Sequence, residues 1–297
     1  MNSYNYSFII PHRNSLELLK RCVSSIPKRN DVQIIIVDDN SDEELKPIIQ
    51  GDNMVIRYLN EREAKRAGHA RNIGINIASG KWLLFADADD YYSENLLNVL
   101  DKYKDLSIDV LYFNYYRIYA NGNCVSNSAL KDNPSNNENM DVIKYKLKMP
   151  WNKMVRRKFI IDNRIHFEEV INGNDMFFSF QVGYWSDNVE FVNTPLYYYE
   201  VSTVGSMTNT KRYGDDYYLC RLNHWFQTNE FYRFINHQNW TYFLPFRFLA
   251  ILKRKGFMEF IKCIRVFLLN YRSISKEKLK FVNYIKQQKA KESNSKH

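Results

Sequence analysis

Two short apolar runs in this sequence each end in a group of carboxylates: Asp38 and Asp39 after 32–37, and Asp87, Asp89 and Asp90 after 82–86. Short runs of this kind are typical of buried strands, and ligands of an open α/β sheet lie beyond the carboxyl ends of its strands. Neighbouring carboxylates repel one another unless a cation lies between them, and oxygen ligands favour Mg²⁺ or Mn²⁺. Acidic turns also cap helices, so this pattern alone leaves both a metal site and a cap open.

The elements that must position these carboxylates follow from the hydrophobic pattern. Strands are predicted at 6–11, 32–37, 54–59, 82–86 and 109–116, and helices at 15–26, 43–50, 68–79 and 93–104. Later in the chain we expect loops over 121–139, a helical segment over 141–161 that is broken at 150–153, a helix at 176–185, and strands at 189–192 and 196–200. Strands that alternate with helices predict a largely parallel, doubly wound α/β sheet.

Composition narrows the class of protein. The 297 residues can bury a substantial core, and the four cysteines are scattered without the spacing of a metal site. No signal peptide and no run of about 20 apolar residues is visible, so we expect a reduced cytoplasmic protein without a spanning helix.

The positive charge is concentrated at the C-terminal end. Residues 211–297 contain 18 Lys and Arg but only 6 Asp and Glu, and large apolar residues alternate with basic ones over 240–286. Basic amphipathic helices bind anionic membrane surfaces, so peripheral contact with the inner face of the plasma membrane is one interpretation. Packing on the rest of the protein or dimerisation is the other.

Four short motifs in the first 90 residues carry a family resemblance. They are Phe8-Ile-Ile-Pro-His-Arg-Asn14, Val37-Asp-Asp-Asn-Ser-Asp42, Ala70-Arg-Asn-Ile-Gly74 and Phe85-Ala-Asp-Ala-Asp-Asp90. In this order and spacing the chain resembles the family 2 glycosyltransferases of the GT-A fold, and weaker motifs follow at 151–153 and 174–175. The resemblance implies an α/β GT-A domain, a doubly wound Rossmann-like mixed sheet, with a C-terminal helical extension. It divides the chain into a nucleotide-sugar half (1–115), an acceptor half (116–210) and the basic extension (211–297).

The resemblance also implies roles for individual residues. Donor contacts are expected from Pro11, Asn14, Asp38, Asp39, Arg71, Asn72 and Asp87, and acceptor contacts from Trp151, Asn152 and Lys153. Asp89 would bind the Mg²⁺ or Mn²⁺ ion, and Asp39 would accept a hydrogen bond from a pyrimidine ring N–H, which suits a UDP-sugar. Trp151 could instead be an ordinary core residue, and His12 and His69 are expected to be contact residues at most.

Attack by an acceptor hydroxyl on the anomeric carbon needs a general base. Asp175, at the start of a predicted helix, is the expected base, with Glu168 and Glu169 as rivals. The resemblance implies an inverting displacement onto a glycan or lipid-linked saccharide, in the assembly of a cell-surface polysaccharide. A nucleotidyltransferase is the alternative enzyme, although 11–14 lacks the expected Gly-rich phosphate loop. A basic nucleic-acid-binding protein is the non-enzyme alternative, and no nucleic-acid motif supports it.

Overall fold

The computed structural model of the protein describes residues 4–48, 51–126, 137–201 and 214–295. By internal contacts the chain forms two compact units. The first contains Met1–Glu169 and Asn174–Ser206, and the second contains Val170–Gly173 and Met207–His297. The predicted boundary at 210 and 211 lies outside the described residues.

A single mixed sheet runs through the first unit. Its strands are β1 (Tyr6–His12), β2 (Val32–Asp38), β3 (Met54–Tyr58), β4 (Trp82–Phe85), β5 (Tyr91–Tyr92), β6 (Val110–Ile118), β7 (Cys124–Ser126), β8 (Lys153–Arg156) and β9 (Val189–Glu200). Their order is β3-β2-β1-β4-β8-β6-β9-β5, and β7 pairs with β6 outside this path. The first four are parallel, whereas β8 is antiparallel to both of its neighbours. The predicted α/β class with a mixed sheet is confirmed.

Helices cover both faces of this sheet. They are α1 (Leu16–Ser24), α2 (Arg66–Ile77), α3 (Leu96–Leu100), α4 (Asn137–Lys146), α5 (Arg157–Asp162) and α6 (Asn174–Trp185). Successive residues of a strand point to opposite faces, so Phe8 and Ile10 belong to one core cluster and Ile9 to the other. Because both faces are covered, β1 and β2 are buried along their whole length.

Helix α2 packs very closely on its surroundings because two of its residues are glycines. A Cβ at Gly74 would overlap the Ile9 side chain of β1, and a Cβ at Gly68 would overlap the carbonyl oxygen of Glu168. The absence of a side chain at these two positions therefore allows the close packing of α2.

Five local predictions were wrong. The loops expected over 121–139 include a short strand, β7, which pairs with β6. Within 43–48 the structure has only a short 3₁₀ helix (Glu43–Leu45), residues 49 and 50 lie outside the described part of the chain, and the helix predicted at 93–104 is confined to α3. The two short strands at 189–192 and 196–200 are one strand, β9. The most consequential correction is β8, where the sequence predicted helix. Met154 and Val155 are fully buried there, and pairing with β4 and β6 overrides local preference.

The described part of the second unit is helical, as predicted. Its helices are α7 (Asp215–Phe234), α8 (Leu244–Lys255), α9 (Phe257–Glu277) and α10 (Lys280–Ser295), with a 3₁₀ turn at Gln238–Trp240. Tyr218, Leu222, Cys263, Val266 and Ile274 form a small buried core. Among the described helices, none is both long enough and apolar enough to cross a bilayer.

Candidate active site

The carboxyl ends of β1, β2 and β4 lie side by side and carry the predicted donor residues. Pro11 is buried in β1 beside Val37, and His12 aligns with Asp38 at the end of β2. Parallel strands end at the same side of a sheet, so the motifs at 8–14, 37–42 and 85–90 converge there, as expected of this architecture.

Asp38 is fully buried and has an internal structural role. Its Oδ2 lies 2.8 Å from His12 Nδ1 and accepts a hydrogen bond of 2.6 Å from Ser41 Oγ, and its Oδ1 accepts one from the Ser41 N–H. Burial alone would raise the pKa of Asp38, but these hydrogen bonds hold it below its ordinary value. Since Ser15 N–H donates to His12 Nε2, the His12 ring donates to Asp38 through Nδ1. His12 thus anchors Asp38.

Asp39 is buried, and only one of its two carboxylate oxygens has a hydrogen-bond partner among the described residues. Its Oδ2 accepts a 3.0 Å hydrogen bond from the Arg66 N–H, whereas its Oδ1 has no partner among the described residues. Burial raises its pKa. An unpartnered buried oxygen is costly, and an N–H of a ligand could satisfy it. The neighbouring Asn14 adopts the left-handed region at φ 51° and exchanges two hydrogen bonds with Asp42, which fixes the turn after β1.

Asp87, Asp89 and Asp90 form a cluster after β4. One carboxylate oxygen from each lies within 4.8 Å of the others. Asp90 is almost completely buried, and burial, followed by the charges of Asp87 and Asp89, raises its pKa well above the ordinary value. Tyr197 of β9 holds the cluster together, because its hydroxyl accepts from the Asp87 N–H at 3.0 Å and donates to Asp90 Oδ2 at 2.9 Å.

The donor set of this cluster fits a hard divalent cation. Its oxygen ligands are those that Mg²⁺ and Mn²⁺ prefer, and the mutual repulsion of the carboxylates is the charge that such an ion would offset. Asp87 and Asp89 are half-buried and therefore reachable from solvent. Asp90, which also accepts the Glu200 N–H, is the internal member.

Arg71 of α2 connects this cluster with the start of α6. The guanidinium group is buried, with Nη2 paired to Asp87, and Nη1 donating to Asn174 Oδ1 at 2.7 Å and Asp175 Oδ1 at 2.9 Å. Burial alone would lower its pKa, but the charges of Asp175 and Asp87 raise it. A single cation therefore brings the predicted donor and catalytic carboxylates together.

The carboxylate candidates for a general base differ in their surroundings. The Asp175 side chain is 37% exposed at the first turn of α6, so it is accessible to a substrate. Glu169 is paired with His69 Nδ1 at 2.7 Å, and this hydrogen bond lowers its pKa. Glu168 is half-buried, and its backbone carbonyl faces Gly68. The direct pairing with Arg71 distinguishes Asp175 from Glu169.

The predicted acceptor residues are buried. Trp151 is 4% exposed and stacks on Tyr197 at 4.6 Å and on Tyr199 at 5.5 Å. Asn152 is fully buried, and neither polar atom of its side chain has a partner among the described residues. These side chains pack inside the first unit, and the acceptor contacts expected of them stay predictions.

Lys153 is also fully buried. Its Nζ donates to the carbonyl oxygen of Met149, lies 3.3 Å from Ser179 Oγ, and is 5.3 Å from the centre of the Tyr112 ring. Burial lowers its pKa to about 7, although the charge of Asp175 opposes this shift. The amide of Asn72 is likewise engaged, since it exchanges two hydrogen bonds with the backbone of Phe167.

Sequence reasoning missed Tyr197 and Ser41. Ser41 lies inside a motif but was not assigned a role, and its hydrogen bonds show that it fixes Asp38. Tyr197 comes from a strand 110 residues beyond Asp87, and only the pairing of β9 within the sheet brings it to the cluster.

Residues 7–163 match the family model described as glycosyl transferase family 2. The match covers more than half of the chain, and the chain therefore belongs to this family. Membership favours the transferase interpretation over a nucleotidyltransferase or a nucleic-acid-binding protein.

Sequence identity with individual relatives is low and extends over only part of each chain. EpsH of Bacillus subtilis is 28% identical over 211 residues, which are 66% of this chain and 60% of EpsH. The UDP-Glc:alpha-D-GlcNAc-diphosphoundecaprenol beta-1,3-glucosyltransferase WfgD of Escherichia coli is 30% identical over 125 residues, 41% of this chain and 49% of WfgD. The chain thus spans about half to three-fifths of the length of these two relatives.

A solved structure extends the likeness of the fold. The crystal structure of S. aureus TarS 1-349 in complex with UDP-GlcNAc is similar with a TM-score of 0.59 and 20% identity, covering 96% of this chain and 92% of that chain. The predicted GT-A fold with C-terminal helices is thereby confirmed.

Proposed function

We propose that this protein is an inverting, metal-dependent glycosyltransferase. It transfers a sugar from a UDP-sugar to a saccharide acceptor in the assembly of a cell-surface polysaccharide. The observation that carries the proposal is the convergence, through Arg71, of Asp87 in the acidic cluster and Asp175 at the start of α6. The donor residues lie in 1–115 and the acceptor side in 116–210.

The uracil ring of the donor is recognised by Asp39. Its buried Oδ1 lacks a partner in the described residues, and an N–H of uracil would supply the missing hydrogen bond. A ring without that donor would leave the oxygen unsatisfied, which costs about 1–3 kcal/mol. Pro11, Asn14 and Asp38 shape the strand ends around this residue.

Asp89 is the direct ligand of Mg²⁺ or Mn²⁺, with Asp87 nearer the ribose. When bound, such an ion neutralises charge on the diphosphate leaving group. Tyr197 fixes Asp90 through a hydrogen bond, and Arg71 fixes Asp87 through an ion pair.

Asp175 accepts the proton of the acceptor hydroxyl as that oxygen attacks the anomeric carbon. A single displacement inverts the anomeric configuration, so no second carboxylate is needed as a nucleophile. Arg71 orients Asp175 through their ion pair. Positioned general bases contribute about 10²–10⁴-fold to rates.

The acceptor is proposed to be lipid-linked. The relative WfgD is named for a diphosphoundecaprenol-linked substrate. The second unit offers exposed apolar residues, such as Phe246, Met258 and Leu269, among many basic ones. Peripheral contact of 240–286 with the inner face of the plasma membrane would bring a cytoplasmic enzyme to such an acceptor.

Calorimetric titration of UDP with and without Mn²⁺ tests the donor and the metal together. Wild-type protein is expected to bind UDP only with the ion, Asp89→Ala to lose this binding, and Asp39→Asn to weaken it by about tenfold or more. Asp162→Asn, which changes an exposed carboxylate on α5, is the matched control. Equal UDP binding without any divalent ion would refute the metal assignment, and preference for another nucleotide would refute that of Asp39.

Asp175→Asn tests the base. We expect the turnover rate to fall by about 10²–10⁴-fold while UDP affinity stays within a few-fold. Glu169→Gln, at the rival position, should keep most of the activity. If the two variants behaved in the opposite way, Glu169 would be the base.

A further inference from the structure

A small cavity in the second unit has a strongly basic wall. It has a volume of about 100 Å³ and is lined by Arg221 of α7 and by Arg247, Arg254 and Lys255 of α8. None of its described lining residues is Asp or Glu. Apolar residues, Leu222 and Ile251 among them, also line the cavity.

The spacing of these residues explains how the arginines meet. Arg247, Ile251 and Arg254 are four and three residues apart, so they lie on one face of α8, and Tyr217 and Arg221 lie four apart on one face of α7. The two faces converge on the cavity. The Arg221 guanidinium also lies 5.6 Å from the centre of the Tyr217 ring, which helps to fix its orientation.

The three arginines differ from others in the same unit because they lack acidic partners. Arg233 pairs with Glu230, and Arg265 pairs with Asp215 at 2.6 Å. Within the described residues, the guanidinium groups of the cavity make no ion pair.

The neighbouring acidic residue is already engaged, because Glu259 accepts a hydrogen bond from Tyr218. Burial and the nearby Arg221 lower the pKa of Arg247, which indicates the cost of holding these charges together. Arg221 and Arg247 are partly buried, whereas Arg254 is exposed. Unpaired, partly buried charges of one sign destabilise a protein unless an opposite charge joins them.

The chemistry of the wall suits a phosphate group. Guanidinium forks match the geometry of phosphate oxygens and bind them through charge-assisted hydrogen bonds. Sites that enclose a whole drug-sized ligand measure about 300–1,000 Å³, so this cavity can hold a phosphate group but not a nucleotide. The apolar lining residues could contact an apolar part of the ligand, if the ligand has one.

We propose that Arg221, Arg247 and Arg254 form a phosphate-binding site, filled by the phosphate headgroup of a lipid or by free phosphate. The site belongs to the second unit and the sugar-donor residues belong to the first, so the proposal would stand even if the proposed transfer reaction were wrong.

The test compares the full-length wild type with Arg221→Gln/Arg247→Gln in buffer that contains EDTA, which suppresses metal-dependent binding elsewhere. One arm titrates inorganic phosphate and pyrophosphate by calorimetry. The other arm measures co-sedimentation with phosphatidylcholine vesicles that contain phosphatidic acid, against pure phosphatidylcholine vesicles. The control Lys253→Gln/Arg272→Gln removes the same charge from exposed positions on α8 and α9.

We expect the Arg221→Gln/Arg247→Gln variant to bind about a hundredfold more weakly, since each lost charge-assisted hydrogen bond is worth about tenfold. The control should stay within about threefold. Binding of the free anions would identify phosphate in solution as the ligand, and binding to phosphatidic acid vesicles alone would identify a lipid headgroup. Arg247→Lys, which keeps the charge but not the guanidinium fork, should bind more tightly than the double variant and keep a normal melting temperature. This comparison separates loss of the site from misfolding.

Equal weakening in the double variant and its control would overturn the proposal, because diffuse surface charge would then explain the binding. It would also be overturned if neither the free anions nor the phosphatidic acid vesicles bound the wild type. UDP titration with Mn²⁺ on the same proteins tests the donor site independently.

Discussion

Replacing Lys153 by Met is predicted to change how stability depends on pH. Lys153 is fully buried, and its pKa falls from 10.5 to about 7 in the folded protein. Between these two values the unfolded chain holds a proton that the folded protein has released. The stability of the folded protein therefore rises with pH in this range, reaches its full value above the unfolded pKa, and is lost as the pH falls towards 7.

The size of the effect follows from the shift. One pKa unit corresponds to about 1.4 kcal/mol, so a shift of roughly three and a half units is worth about 5 kcal/mol in full. From about pH 6 to about pH 9 only part of the transition is traversed, which gives an expected gain of about 3 kcal/mol for the wild type. The Lys153→Met variant has no titrating group at this position, so its free energy of unfolding should not show this gain.

Urea denaturation at several pH values, for the wild type and Lys153→Met, measures the difference in free energy of unfolding. That difference should grow in favour of the wild type as the pH rises, whatever its starting value. Lys158→Met is the control, because the Lys158 side chain is 80% exposed and its removal should leave the pH dependence unchanged. A difference that stays flat between pH 6 and 9 would refute the argument that burial lowers the pKa of Lys153 to about 7.

Two further substitutions test the packing that supports the site. Tyr197→Phe removes the hydroxyl that donates to Asp90 and accepts from the Asp87 N–H, and we expect unfolding to become easier by about 1–3 kcal/mol. Gly68→Ala places a methyl group against the backbone of Glu168, so a loss of about 1–3 kcal/mol of stability is expected. Catalysis should also be weaker in the Gly68→Ala variant. Thermal melting and steady-state rates measure both.

Each has a contrasting control. Tyr91→Phe changes a half-buried tyrosine in the same sheet, stacked on Tyr198 at 4.8 Å, and should cost less than Tyr197→Phe. Gly214→Ala adds a methyl group that meets no atom of the described residues within 4 Å, apart from its chain neighbours, and should be tolerated. If Gly68→Ala melted and turned over like the wild type, close approach of α2 would not be required.

Much of the donor side could be predicted from the sequence, because each of its motifs is short and directly follows its own strand. Each strand of the βα pattern ends in its own motif, and parallel strands must end on one side of the sheet, so the meeting of Asp39 and Asp87 at that side could be inferred without coordinates. The helical character of the second unit could also be predicted, from the helical spacing of its apolar residues.

The inner supports could not be predicted because they depend on pairing between distant segments. Lys153 lies in a short segment whose local pattern resembles a break in a helix, and only its position between β4 and β6 makes it a buried strand residue. Arg71 was predicted to contact the donor, but its pairing with Asp175 depends on how α6 packs. No spacing rule connects residues that are 104 positions apart.

The insertion of β8 also has a consequence for synthesis of the chain. Leu83 of β4 pairs with Val155 of β8, so one side of a fully buried, apolar strand stays open until the ribosome has passed residue 156. Exposed apolar strand edges template association with other chains. We therefore expect a nascent chain halted between β4 and β8 to be aggregation-prone, and the sheet to assemble late, at the slow rate typical of long-range strand pairing.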